Sequence, residues 1–215
     1  METDPIKLRL LMGSVWQSFE PHTLATRGVS SEIGYCVRLA ILTLQRPGAI
    51  AGVKRRHLNL EKGLWWVHSE NERSHQLHPL LPSSIELFGQ LMELPVDRTS
   101  EAIFQNRRFP DKSVPAKKLT RIFAAVGKKF DLPRINFSGL RACARLLMLQ
   151  SGIQTDDIDC VLGHRSRAPS EEERAVNGQH CLVKKRYIMM QWEFTLNEII
   201  QAQDSIAIEN PFPAS

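Results

Sequence analysis

Between His57 and Leu80 the apolar residues of this chain stop recurring at helical spacing and fall into short extended runs separated by turns. Leu58-Asn59-Leu60, a turn at Glu61-Lys62-Gly63, and Leu64-Trp65-Trp66-Val67 spell a β-hairpin. A third strand lies in Gln76 to Leu80, after the polar stretch Ser69 to Ser74. Everything long enough to bury a core lies outside this patch and is helical in pattern. The chain is therefore read as α+β, mainly α, with helices around a small antiparallel three-stranded sheet.

Before the sheet, Ile6 to Phe19 carries Leu8, Leu11, Met12, Val15, Trp16 and Phe19 at helical spacing. A polar stretch, Glu20 to Gly28, follows. Ser30 and Ser31 can cap the next helix, which runs to about Leu44 and breaks at Pro47-Gly48. A short helix covers Ala49 to Val53. After the sheet, Pro82-Ser83-Ser84 opens a helix, Ala102-Ile103-Phe104 reads as a short strand, and Asn106 to Ser113 as a basic loop. Further helices span Lys117 to Phe130, Ser138 to Ser151, and Thr155, as a cap, through Val161. Ser166 to Asn177 is polar and charged, without a pattern for fixed structure. The last helix, His180 to Gln203, carries Ile188, Met189, Trp192, Leu196, Ile199 and Ile200.

At 215 residues the chain suits one domain, taken as 1–203 with residues 166–179 mobile and 204–215 as a tail. Lys plus Arg exceed Asp plus Glu by 28 to 23 and the pI is near 9.2, an excess that permits nucleic-acid binding without requiring it. Cys36, Cys143, Cys160 and Cys181 show no metal-ligand spacing, and the first three sit among apolar neighbours, which fits buried thiols better than disulfides. Acidic residues stand where a signal peptide would be basic, and no apolar run approaches a membrane span. The expected compartment is the cytoplasm.

Three fragments carry chemistry: Leu44-Gln45-Arg46-Pro47-Gly48, Gly139-Leu140-Arg141 and Leu162-Gly163-His164. Singly, each has an ordinary structural explanation, such as an arginine over helix carbonyls or a histidine after a helix. In this order, with the hairpin after the first, they resemble the catalytic domain of the tyrosine recombinases, the phage integrase family, over nearly all of residues 6 to 203. The resemblance implies a pocket in which Arg46, Arg141 and His164 hold a DNA phosphate. Two guanidinium forks bind the non-bridging oxygens bidentately, and a histidine donor shares the developing charge. It implies no metal and no cofactor.

Other parts of the implied pocket are missing. The acid after Pro-Gly is Ala49, the hairpin lysine falls on Asn71, and the first histidine of His-x-x-Arg is Ser138. Two registers compete for the nucleophilic tyrosine. Arg174-Ala175-Val176-Asn177, followed by Met189-Met190-Gln191-Trp192, resembles a prophage-integrase ending and puts Asn177 on the nucleophile. The rival is Tyr187, in Val183-Lys184-Lys185-Arg186-Tyr187-Ile188, which stands further from His164 than the family's usual spacing. An amide cannot form the phosphotyrosyl ester, so the expectation is a catalytically inactive DNA-binding member of the family, linked to integration or recombination of a mobile element.

Basic residues placed for duplex DNA are Lys54, Arg55 and Arg56, Arg107 and Arg108, and Lys117, Lys118 and Arg121; Lys128-Lys129 and Lys184-Lys185-Arg186 form further clusters. Any one of these can equally be a solvated face. The resemblance also leads one to expect a separate core-binding domain, for which only a short lead is present. Two alternatives stay open. One is an active recombinase using Tyr187. The other is an interaction module whose last helix, through Met189, Trp192, Leu196 and Ile199, docks on an active integrase or a second copy.

Overall fold

The computed structural model describes residues 4–68, 75–94, 99–106, 108–163 and 171–209, except the side chains of 75, 171–180 and 206–209. The described chain runs α1 (Pro5–Ser18), α2 (Pro21–Thr26), α3 (Ser31–Thr43), α4 (Pro47–Ala51), a 3₁₀ turn (Arg55–His57), β1 (Leu58–Asn59), β2 (Leu64–His68), β3 (His75–Pro79), α5 (Pro82–Glu93), β4 (Gln105–Asn106), β5 (Phe109–Ser113), α6 (Ala116–Lys129), α7 (Phe137–Gln150), α8 (Thr155–Leu162) and α9 (Glu171–Glu209). The first sheet is antiparallel in the order β1-β2-β3, with Trp65 opposite both Leu58 and His78. The fold is mainly helical α+β around this sheet, as the sequence pattern indicates.

Helix α3 is the axis of the core. Ile33, Cys36, Val37, Leu39, Ala40, Ile41, Leu42 and Thr43 are all buried, and α2, α5, α6, α7 and α9 pack against it. Its first turn is so close to the chain entering α2 that a β-carbon on Gly34 would stand 2.7 Å from the Phe19 carbonyl oxygen. Helix α9 closes the far side, with Ile188, Met189, Trp192, Leu196 and Ile199 buried. The last carbonyls of any α-helix lack an intrahelical partner. In α3 one of them, Ile41, is met by the Trp192 indole N–H at 2.9 Å. Burying a side chain of this size contributes about 3 kcal/mol, so this contact fixes α9 on α3. The stripe Met189, Trp192, Leu196 and Ile199 is thereby core, which rules out the alternative in which this stripe docks on a partner.

Several local expectations also change. Glu20 to Gly28 holds helix α2, because Pro21 starts it and the Glu20 carboxylate accepts from the Thr23 N–H. Ala102 to Phe104 is not a strand: Ala102 makes one isolated bridge to Lys54, and the second hairpin is β4–β5. Strand β5 is almost wholly exposed, so it lacks the hydrophobic alternation that marks a half-buried strand. Gln154, not Thr155, is the N-cap of α8, and Ser30 stands at the cap of α3 with no side-chain bond to the helix backbone. Helix α9 begins at Glu171 rather than His180 and continues to Glu209 rather than Gln203. Residues 166–170 lie outside the described residues.

Candidate functional site

Arg46 is aimed by a forced turn. Helix α3 is capped by Leu44, whose φ of 55° is left-handed, a conformation that costs a non-glycine residue about 1–2 kcal/mol. Leu44 is 1% exposed, and burial of its side chain offsets that cost. Gln45 then points inward. Its amide donates to the Thr43 carbonyl at 3.2 Å and meets His78 Nδ1 at 3.1 Å. Arg46 follows as the extended N-cap of α4, with its side chain exposed.

The His78 imidazole is fully buried behind this turn, edge-on to Trp65. Burial first, and the nearby Lys185 ammonium second, push it down to about 3, so it is neutral. With Nδ1 accepting from Gln45, its Nε2–H has no hydrogen-bond partner among the described residues. Lys185 itself is buried and donates to the Leu77 carbonyl at 3.2 Å, which ties α9 to β3. Next to it, Arg186 reaches the Lys62 and Gly63 carbonyls at 3.3 and 3.4 Å, holding the hairpin turn. The basic run Lys184 to Arg186 is thus partly structural.

Arg141 comes from the second turn of α7, which Asn136 caps by accepting the Gly139 N–H at 2.8 Å. Its guanidinium Nη2 donates to the Leu162 carbonyl at 2.7 Å. That carbonyl belongs to the last turn of α8, where Gly163 takes the left-handed cap with φ of 70°. A β-carbon there would meet the Gln76 side chain at 3.1 Å, so β3, α7 and the end of α8 converge at this point. Burial, and then the positive charge of Arg46, lower Arg141 to about 10. Its Nε is buried with no hydrogen-bond partner among the described residues. Two like charges within reach of one another, with one donor unused, favour an anion between them.

The remaining expected residues divide. His164 and Asn71 lie outside the described residues, as does Arg107. Ala49 is half-buried in α4, Ser138 is exposed on α7, and Asn177 is on the backbone of α9. Tyr187 is 63% exposed on α9, in the middle of a continuous helix. Arg55 is half-buried, its Nε on the Ser100 carbonyl at 3.3 Å, and Arg56 lies 3.9 Å from Glu101. Lys54 bridges to Ala102 by backbone. Arg108 stacks over the Phe109 ring at 5.5 Å. Lys117, Lys118 and Arg121 share the exposed face of α6. Sequence reasoning missed His78, and it gave Gln45 only as part of a motif and Lys185 only as part of a basic cluster, without their buried contacts. Only the position of Gln45 next to Arg46 could have marked that residue, since the pairing of His78 with it joins residues far apart in the chain.

The arrangement is a mainly helical fold in which Arg46 and Arg141 come within Coulombic reach of one another, close to the sheet. The chain belongs to the phage integrase family, whose sequence profile matches residues 17–170. No curated relative matches it in sequence. Among solved structures it resembles the XerA recombinase, with 18% identity over 78% of this chain and 62% of that one and a TM-score of 0.56. It resembles the integrase from mycobacterium phage Brujita, with 15% identity over 78% of this chain and 56% of that one and a TM-score of 0.58. It also resembles the lambda integrase catalytic core, with 19% identity over 75% of this chain and 92% of that one and a TM-score of 0.54. The chain thus spans about three-fifths of the two longer proteins and nearly all of the core domain.

Proposed function

We propose that this chain is a non-cleaving member of its family that binds duplex DNA by seating a phosphate between Arg46 and Arg141. The observation that carries this reading is the half-buried Arg141 guanidinium, with Nε unpartnered beside a second, exposed arginine. Bound phosphate would relieve the like-charge repulsion and take up the unused donor. Lys117, Lys118, Arg121, Arg56 and Arg108 would add phosphate contacts, which supply affinity more than sequence information. Relatives of known structure include lambda integrase bound to DNA, consistent with the same partner here.

Loss of chemistry follows from the residue types. Ala49 has no carboxylate, Asn71 no ammonium, Ser138 no imidazole, and Asn177 no phenol to attack phosphorus. A missing general acid costs about 10²–10⁴ in rate, and a missing nucleophile removes the covalent route. The role this leaves is that of an accessory or regulatory factor in the integration or excision of a mobile element. Incubation with a nicked suicide DNA, followed by a denaturing gel, tests it. The expected result is DNA binding with no covalent adduct. An adduct that disappears in Tyr187→Phe would replace this reading with an active recombinase.

A second reading has its own observation. Val183, Tyr187, Met190 and Phe194 are 68, 63, 55 and 67% exposed, and their spacing puts them on one face of α9, opposite the buried stripe. Such a face suits docking against the corresponding helix of a second copy or of an active integrase. Sedimentation of the parent and of Met190→Glu/Phe194→Glu checks it. The expected result is association that the variant loses.

A further inference from the structure

All four cysteines are thiols, but they occupy two kinds of place. Cys36 and Cys143 are buried in the core, and burial pushes them up, to about 11 for Cys143. Cys160, expected to be buried, is half-buried on α8, which packs against α9. Cys181 lies opposite it, near the start of the described side chains of α9, and is also half-buried. Their sulfurs stand 3.6 Å apart. A disulfide requires about 2.0 Å, a closure that side-chain rotation on two packed helices can supply.

The surroundings fit exchange rather than a sealed core. Lys184, one turn beyond Cys181, pairs with Asp157, one turn before Cys160. Its ammonium is also within Coulombic reach of Cys160 and Asp156. Asp159 is held by Arg145 at 3.2 Å. The pair is therefore solvent-accessible, has a cation beside it, and joins two helices packed against one another. Reactive thiols are partly exposed and often have a cation nearby, here the Lys184 ammonium that Asp157 and Asp156 also face.

We infer that Cys160 and Cys181 form a reversible intramolecular disulfide site, oxidised by small-molecule disulfides and reduced by thiols. The thiolate of one cysteine attacks a sulfur of the small disulfide and expels one thiolate, leaving a mixed disulfide. The second cysteine thiolate attacks the protein sulfur of that mixed disulfide and expels the other. One protein S–S bond forms, two small thiols are released, and the two protons lost by the cysteines go to them or to solvent. The crosslink closes the loop from α8 to α9 and raises the stability of the junction that carries the Leu162 carbonyl bonded to Arg141.

The test equilibrates the whole chain in oxidised and reduced glutathione at graded ratios, quenches with acid and an alkylating agent, and reads mass. Oxidation should remove two mass units, leave Cys36 and Cys143 alkylatable after unfolding, and yield a digest peptide pair joined through Cys160 and Cys181. The melting midpoint of the oxidised protein should rise by roughly 5–10 °C, and dithiothreitol should reverse this. Cys160→Ser and Cys181→Ser should each abolish the crosslink and gain a single glutathione adduct on the remaining thiol. Two separate glutathione adducts on the parent, or a crosslink between any other pair, would overturn the inference. Because every readout is on the protein without DNA, the outcome is independent of whether the arginine pocket binds phosphate.

Discussion

Mild acid should destabilise this protein, through histidines that the fold keeps neutral. His78 is fully buried and held near 3 by burial and by Lys185. His57 is 8% exposed and stacks on His68 with ring centroids 3.9 Å apart. Burial, and then the charges of His68, Arg56 and Lys54, hold it near 4. In the unfolded chain both groups titrate near 6.5. Between 6.5 and about 4, the unfolded state therefore takes up two protons that the folded state refuses. A depressed histidine penalises folding increasingly as pH falls below 6.5, and the penalty is complete below the folded value. The slope is about 1.4 kcal/mol per pH unit per histidine, so pH 5 costs about 2 kcal/mol for each and about 4 kcal/mol together. For a chain of this size, that lowers the melting midpoint by roughly 8–16 °C between pH 7.5 and 5. Thermal melts followed by circular dichroism at half-unit steps measure it. His78→Gln should roughly halve the slope in that window, whatever it does to the midpoint at pH 7.5. A parent midpoint that is flat from pH 7 to 5, or a His78→Gln slope equal to the parent's, would refute the reasoning.

Other expectations test separate links. Trp192→Phe removes the donor to the Ile41 carbonyl and part of a packed ring, and should cost about 2–4 kcal/mol by urea titration. Gly34→Ala should cost about 1–3 kcal/mol in the same assay, since its β-carbon would press on the Phe19 carbonyl. Replacing Lys117, Lys118 and Arg121 together by alanine should weaken duplex binding alike for unrelated sequences. It should also lower the salt slope by about one for each phosphate no longer neutralised. Asn177→Tyr alone should give no covalent adduct on a nicked suicide DNA, because Ala49, Asn71 and Ser138 still lack their side-chain chemistry.

What is legible in the sequence, and what is hidden, follows from the range of the interactions. The hairpin of β1 and β2, and the long helices, are written in local periodicity, and Arg46 and Arg141 stand in short motifs. Helix α2 escapes a pattern search because its six residues carry no stripe, only the Glu20 and Pro21 start signals. Hairpin β4–β5 reads as a loop because its exposed strand buries nothing. Gln45, His78 and Lys185 have no local signature: the first two meet across 33 positions, and Lys185 finds Leu77 across 108. The same non-local packing decides which stripe of α9 is core and which faces solvent. Both stripes carry large apolar residues, and the packing of α1, α3, α7, α8 and β3 on one side separates them.

The most direct test of the account is the salt dependence of duplex binding by the parent and by Arg46→Ala/Arg141→Ala. Fluorescence anisotropy at several salt concentrations gives the affinity and its slope. The predicted result is measurable parent binding, with weaker binding and a log–log slope shallower by about 1 in the double variant, whose midpoint of melting stays within a few degrees of the parent. Equal affinity and equal slope in the two proteins, both folded, would contradict the claim that these arginines seat a DNA phosphate.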